Sequence, residues 1–314
     1  MGPIVMPLPF TPNDAEHWQA TYLEHCTLHL SPETVATYRK RLAQFVRWWR
    51  TEPSTSIFSR ELGYRYHQWL TRNETPLRSQ ALALSSVRAW GTFLVAQGRL
   101  THNPWLHLQG PGKIASLATN FLTYGQIKRL LNAFDRRKLS EHRDAVLVYL
   151  MLKTGVRETE LSRATVGHLK PFGQEGGTLT VHSKGKRRKQ EEVVLLVPKA
   201  WNVLQAYLAA RECRSPLQPD APLFTTIVDG DEHAMTPHRM RRRIHLAYER
   251  AGIPTKFFSA LSLRHTAAMQ ALLKKAPLSA VQALMRHEDI ATTKNFAEQL
   301  TRLQRSGAHY LDHY

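Results

Sequence analysis

The sequence predicts a mainly α-helical chain with a small antiparallel β-sheet, divided into two domains. Three observations carry this. At 314 residues the chain is long enough to bury two cores of ordinary size. Apolar residues recur every three or four positions through most of its length. Only one stretch, "GGTLTVHSKGKRRKQEEVVLL", shows paired β-rich runs. Residues 1–109 are expected to form an N-terminal helical domain, 110–120 a linker and 121–314 a C-terminal domain.

Four helices fit the first hundred residues. The clearest is "LSPETVATYRKRLAQFVRWW", with Ser31 as N-cap and Pro32 at the first helical position, where its missing N–H costs nothing. Val35, Tyr38, Leu42, Phe45, Val46 and Trp49 fall on one face, while Arg39, Lys40, Arg41 and Arg47 project elsewhere, giving a core-facing helix with a basic back. Weaker patterns of the same kind run from Asn13 to Leu28, Phe58 to Leu70 and Arg78 to Val95. The stretch "THNPWLHLQGPGKIASLATN" then breaks the periodicity at Pro104, Gly110, Pro111 and Gly112 and reads as interdomain connection.

The second domain opens at "FLTYGQIKRLLNAF", where Thr123 caps a helix with Ile127, Leu130 and Leu131 inward. A strongly apolar helix follows, ending at the Gly155 break before a short helix over "ETEL". Strands over Thr178–His182 and Glu191–Leu196 flank a basic turn and make a hairpin. Helices resume through "MTPHRMRRRIHLAYERAGI" and "LSLRHTAAMQALLKKAPLSAVQALMRHEDIATTKNF", with one more short helix towards Tyr314.

Composition narrows the function classes. With 43 Lys and Arg against 25 Asp and Glu, the formal charge is +18, which calls for a polyanionic partner. The basic residues recur along the whole chain, whereas basic membrane binders concentrate charge on one helix or a terminal run, so nucleic acid is favoured over a membrane surface. No apolar run approaches the roughly 20 residues that span a bilayer. "MGPIVMPLPF" lacks the basic flank and long apolar stretch of a secretory signal, and a cytosolic location is expected. Cys26 and Cys213 support neither a disulfide framework nor a zinc cluster.

Four groups of residues are candidates for chemistry. Five of the six residues from Lys184 to Lys189 are basic; the tip is either a solvated turn touching phosphates nonspecifically or a Lys that reaches a groove and protonates a leaving oxygen. In "TGVRETEL", Arg157 can aim a guanidinium at a phosphate with Glu160 orienting it, or the two form a surface ion pair. Arg264 and His265 in "LSLRHTAA" are either ligand groups or a buried hydrogen-bonded pair. His287 in "MRHEDI" is either a donor or a solvated helix-end residue.

Taken in order, these segments resemble the tyrosine recombinase or phage integrase family, which includes the Xer-type and integron integrases. The family patterns are Thr-Gly-x-Arg-x-x-Glu-Leu, a Gly-Lys-Gly-like β turn, His-x-Leu-Arg-His-Thr, and Leu-Gly-His followed nine residues later by Tyr. This chain shows Thr154-Gly155-Val156-Arg157-Glu158-Thr159-Glu160-Leu161, Ser183-Lys184-Gly185-Lys186, Leu261-Ser262-Leu263-Arg264-His265-Thr266 and Leu284-Met285-Arg286-His287. "SPETVATYRKRLAQFVRWW" and "NPW" are similar to the family's core-binding domain.

The resemblance implies a two-domain clamp on duplex DNA, with a helical core-binding domain and a catalytic domain. In that family a Tyr hydroxyl attacks a phosphodiester, leaving a 3′-phosphotyrosine and a free 5′-OH, with no metal and no other cofactor. Arg forks and a His donor stabilise charge on the nonbridging oxygens, and a Lys protonates the departing oxygen. By this likeness Arg157 and Arg264 clamp the phosphate, Lys184 is the general acid and His287 donates a hydrogen bond. Arg187, Arg188, Lys189, Arg239, Arg241, Arg242 and Arg243, with Arg39 and Lys40, are expected on the DNA backbone, though the helical members cannot all face one groove. The implied partners are double-stranded DNA with paired inverted half-sites and further copies of the chain, a homo-tetramer on two duplexes. Accessory DNA-bending proteins are left open.

Two positions depart from the family. Nine residues past His287 stands Phe296, which keeps the ring and lacks the attacking oxygen. Leu261 replaces the first His of the third pattern and removes a donor. Tyr310 and Tyr314 miss the family spacing, and a terminal Tyr more often packs or dangles. Phe296 is then either a Tyr-to-Phe replacement that stops cleavage or the mark of a relative that has lost it. Retention of Arg157, Lys184, Arg264 and His287 favours the first, because an idle pocket is free to drift; Leu261 points the other way. The expectation is a chain that binds and synapses DNA without cutting it, and the rival class is a non-enzymatic architectural protein at recombination sites. An RNA-binding role would need stacking aromatics on an exposed sheet, in which the hairpin is poor.

Overall fold

The structure, a computed structural model, describes residues 10–53, 57–110, 120–174, 176–184, 189–214, 216–229 and 231–304, excluding the side chains at 183, 184, 189, 190 and 304. The chain separates into two compact units, Met1–Leu117 and Ala118–Tyr314.

In the first unit the helices are α1 (Pro12–His29), α2 (Pro32–Trp49), α3 (Arg60–Arg72) and α4 (Leu77–Ala96). The Ser31 hydroxyl accepts from the Thr34 N–H, closing the expected cap on α2. The core is aromatic. Phe45 meets Trp49, Tyr66 and Trp105 at ring-centroid distances of 5.4, 5.0 and 5.2 Å. Exposed Arg39 and Lys40 lie on the outer side of α2.

The stretch after α4, broken in periodicity, folds back on the first unit as far as Leu108, within the 1–109 bounds given for that domain. Trp105 and Leu108 are buried in the first unit's core, and the Trp105 indole donates to the Ser59 carbonyl at 3.0 Å. Arg88 holds the turn, donating to the Trp105 carbonyl at 3.0 Å and the Leu108 carbonyl at 2.8 Å. Proline and the broken periodicity end the helix here, but indole burial decides where the chain goes.

The second unit runs α5 (Tyr124–Asn132), α6 (Leu139–Thr154), α7 (Glu158–Leu161), β1 (Leu169–Phe172), β2 (Gly176–Lys184), β3 (Lys189–Leu196) and α8 (Pro198–Glu212). Then come β4 (Thr225–Val228), β5 (Asp231–Ala234), α9 (Pro237–Arg250), α10 (Ala260–Leu273), α11 (Leu278–Met285) and α12 (Ile290–Gln304). Helix α6 is buried all round from Ala145 to Leu152, so it is the core's axis, packed by α8 and α10. β1, β2 and β3 form an antiparallel sheet in that order, with Val181 opposite Glu192 and Lys184 opposite Lys189.

The hairpin lies where the sequence places it, extended at both ends. Three elements escape the sequence reading: edge strand β1, the β4–β5 hairpin and helix α8. β1 has four residues and a Pro, tolerated because only one of its sides pairs. β5 is exposed throughout and polar in three of its four residues, so no alternation marks it. At Gly177 a Cβ would fall inside the Trp201 indole, which requires glycine where α8 packs on the sheet.

Candidate active site

Arg157 follows the break that ends α6. Gly155 closes that helix in the left-handed conformation (φ 61°), its N–H donating to the Met151 carbonyl at 3.1 Å. The chain then turns into α7, at whose start the Arg157 N–H donates to Glu160 Oε2 at 2.8 Å and its guanidinium to Glu160 Oε1 at 2.6 Å. Glu160 is 2% exposed, so this is no surface ion pair. The Arg157 side chain remains 38% exposed, with its outer edge open.

Arg264, on the first turns of α10, is 2% exposed. It donates to the carbonyls of Gly155 and Met285, joining the end of α6 to the end of α11. Burial, then the nearby Arg157 and Arg286, push its pKa down to about 9, against a pull from Glu160 and Glu192.

His287 lies between α11 and α12. Its Nδ1 shares a hydrogen bond with the hydroxyl of buried Thr293 at 2.9 Å. Its ring stacks on Phe296 at 6.2 Å and 15°, and His265 meets the same phenyl ring edge-on at 5.2 Å. Burial and then Arg264 push both imidazoles down to about 4, so both are neutral at physiological pH. Phe296 is 6% exposed and packs with Met269, Val281 and Met285 in a small core of its own.

Arg157, Arg264, His287 and Phe296 therefore meet at one place. Lys184 is the last residue of β2, and its side chain lies outside the described residues, as do Arg187, Arg188, Tyr310 and Tyr314 and the side chain of Lys189. Leu261, 50% exposed on the outer side of α10, offers no polar atom. On α9, Arg239, Arg241 and Arg242 are exposed, with Arg239 bonded to the Thr226 hydroxyl and Arg241 to Glu158. Arg243 instead grips buried Asp144 at 2.5 Å, an internal tie rather than a free cation.

Two residues that sequence reasoning passed over stand in the site. Arg286 occupies the position of the family's Gly in Leu-Gly-His and keeps the left-handed backbone (φ 48°), with its guanidinium on Glu160 Oε2 at 2.7 Å. Glu192 on β3 lies 3.2 Å from the Arg286 Nε, although the two atoms are not aligned as a hydrogen bond. The departure from Gly was visible in the sequence; its partners, 126 residues away for Glu160, were not.

Electrically the site is three guanidiniums against two carboxylates with two neutral imidazoles, an arrangement that suits a phosphate monoanion. Among the described residues no group of His, Cys, Asp and Glu could hold a metal ion, and no helix is long and apolar enough to cross a membrane.

A family model described as "Phage integrase family" matches residues 120–302, and one described as "Phage integrase, N-terminal SAM-like domain" matches 18–98. Tyrosine recombinase XerD of Vibrio cholerae serotype O1 is 27% identical over 273 residues, 87% of this chain and 87% of that protein. Tyrosine recombinase XerD of Rhizobium meliloti is 30% identical over 230 residues, 71% of this chain and 70% of that protein. Among solved structures, XerH site-specific recombinase bound to a palindromic difH substrate, in a post-cleavage complex, has a TM-score of 0.80 at 15% identity, covering 97% of this chain and 99% of that one. A Tyr-to-Phe variant of the Tn1549 transposon integrase, in complex with transposon right end DNA, has a TM-score of 0.69 at 16% identity, covering 90% and 94%. At such identities the structural likeness speaks for the fold.

Proposed function

The chain belongs to the phage integrase family, and on that premise we propose that it is a site-specific recombinase of the tyrosine class. In this reading it binds and synapses duplex DNA but does not cut it, because Phe296 stands at the nucleophile position. The observation that carries the reading is the meeting of Arg157, Arg264 and His287 beside the Phe296 ring.

Each residue has a defined part. Arg157, with its outer edge open, reaches a nonbridging oxygen, while buried Arg264 supplies fixed positive charge to the site. His287 is neutral, so it contributes a hydrogen bond and not a charge; in the tautomer whose Nδ1 accepts from the Thr293 hydroxyl, the ring proton sits on Nε2 and is available to the phosphate. Lys184, at the end of β2, would protonate the departing 5′ oxygen. The attacking hydroxyl is missing: Phe296 offers carbon where a phenolic oxygen must form the bond to phosphorus.

Exposed basic residues in each unit, Arg39 and Lys40 on α2 and Arg239, Arg241 and Arg242 on α9, are the backbone contacts. The palindromic substrate of XerH supports a paired inverted site for this chain; four copies across two duplexes are what the family resemblance implies for such a site.

The test restores the oxygen. A duplex recovered by this protein from a random pool is nicked near the bound centre and incubated with Phe296→Tyr. Covalent protein–DNA adducts are expected with the variant and none with the unsubstituted chain. If Phe296→Tyr binds the duplex and forms no adduct, the second reading stands, an architectural DNA-binding relative; half-exposed Leu261, which removes a further polar group from the site, is the observation in its favour.

A further inference from the structure

We infer that Arg286 is a positioning residue of this site, a buried guanidinium that ties β3 to the α7 turn and thereby sets the hairpin ending in Lys184 against Arg157 and His287. The inference rests on the proposed recombinase reading for its catalytic consequence, but its geometry stands alone.

The backbone is the first sign. Arg286 sits at φ 48° and ψ 51°, a left-handed conformation that a side chain with a Cβ adopts at a cost. Glycine would take it freely, so something the Arg side chain does offsets that cost. The side chain is 7% exposed, and its contacts lie within the site.

Those contacts join three elements. Nη2 donates to Glu160 Oε2 at 2.7 Å, the same oxygen that receives the Arg157 N–H at 2.8 Å, while Glu160 Oε1 receives the Arg157 guanidinium at 2.6 Å. One buried carboxylate thus holds two guanidiniums, and neither can shift without the other. On its far side Arg286 Nε lies 3.2 Å from Glu192 Oε2 on β3. Glu192 pairs with Val181, three residues before Lys184 on β2. The Arg286 backbone leads directly into His287.

Electrostatics point the same way. Burial raises the pKa of Glu160, but Arg286 first and Arg157 next outweigh it and hold the carboxyl below its usual range. Without Arg286, Glu160 keeps only Arg157 as counter-charge, Glu192 loses the guanidinium beside it, and β3 loses its link to α7.

Two measurements test this. Hydrogen exchange on the chain as it stands, with Phe at 296, should show Arg286→Gly accelerating exchange over 157–161 and 189–196 by about tenfold or more, with the first unit unchanged. Arg286→Lys should recover most of that protection. Unchanged exchange in Arg286→Gly overturns the inference. In the Phe296→Tyr background, on the selected nicked duplex, Arg286→Gly should lower the adduct-forming rate at saturating DNA by about tenfold or more while the apparent Kd moves less than about threefold. Arg286→Lys should be intermediate; equal rates overturn the inference. If no adducts form even with Arg286 present, the recombinase reading fails and the exchange measurement alone decides. Should Arg286→Gly not fold, Glu192→Gln takes its place in the same assays, with faster exchange over 189–196 and a slower rate expected, and no change in either overturning the inference.

Discussion

Acid should weaken the second unit before it protonates most carboxylates, and His265 is the reason. Its ring lies against Phe296 at 5.2 Å, beside Arg264 and His287, and burial, then Arg264, then His287 bring its pKa from 6.5 down to about 4. A drop of that size means protonating the folded ring costs about 3 kcal/mol more than protonating it unfolded; water at the part-exposed edge reduces this to about 2 kcal/mol. The folded pKa lies below the unfolded one, so the unfolded chain binds more protons as pH falls through the window. The stabilisation is complete above pH 6.5 and is lost down to about pH 4. His287, pushed down by burial, Arg264, Arg157 and Arg286, adds a smaller share because it is more exposed. Glu160 is held below the ordinary carboxylate range and loses its contribution only at lower pH, so the upper part of the window belongs to the imidazoles. The assay is urea unfolding followed by fluorine NMR of fluorotryptophan-labelled protein, because Trp201 reports on the second unit while the other tryptophans lie in the first. Stability at Trp201 should fall by roughly 2 kcal/mol or more between pH 6.5 and 4.5, and His265→Gln should flatten most of that slope. Superimposable pH profiles for the two proteins, or stability that rises on acidification, would refute the reasoning.

Other outcomes follow from individual contacts. Arg242 is exposed and Arg243 is bound to Asp144, so two adjacent arginines should behave oppositely. Arg242→Ala should reduce the slope of log binding constant against log salt by about 1 with stability unchanged, whereas Arg243→Ala, stranding a buried carboxylate, should cost about 3 kcal/mol in urea unfolding; equal effects of the two would contradict the assignment. Gly177→Ala drives a methyl group into the Trp201 indole and should destabilise the second unit by about 2 kcal/mol, read at Trp201; a neutral result would mean the sheet and α8 are not packed as described.

Much of the scaffold was legible because its signals are local. Ser31, Thr123 and Gly155 mark helix ends through the chemistry of the orphaned N–H and C=O groups, and each stands where the structure begins or ends a helix. The unbroken apolar run of α6 could only be a buried axis. The reading failed where a segment is specified by what it packs on. Trp105 is a core residue because Phe45 and Phe58 are there to receive it, and nothing in "THNPW" states that. β5 is a strand because β4 pairs with it. In the site, Arg157 and Glu160 are three apart and their pairing could be read directly; Arg264 and His287 stood as candidates with bland alternatives, and only the family resemblance gave them a role. Thr293 and Glu192 matter through partners that no periodicity connects, so coordinates alone reveal them.

Persistence of the cationic residues argues for persisting chemistry only if those residues have no other work, and the packing gives them some. Arg264 carries the carbonyls of Gly155 and Met285, and removing it would leave buried acceptors unpaired in any protein of this fold, cutting or not. Glu160 anchors two guanidiniums, and the His287 ring covers one face of Phe296. These side chains have structural work that would preserve them in a chain that never cleaves, so their presence weighs equally on both accounts. The informative positions are those where the family's polar atom is gone. Two of them, 261 and 296, carry Leu and Phe where the family pattern has His and Tyr, and both changes remove groups that exchange protons while leaving every fixed cation in place. A phosphate bound by Arg157 and Arg264 needs no proton transfer, whereas breaking its ester bond does. Loss at two proton-handling positions, with Lys184 and the anion grip kept, is the pattern expected under the non-cleaving reading proposed above.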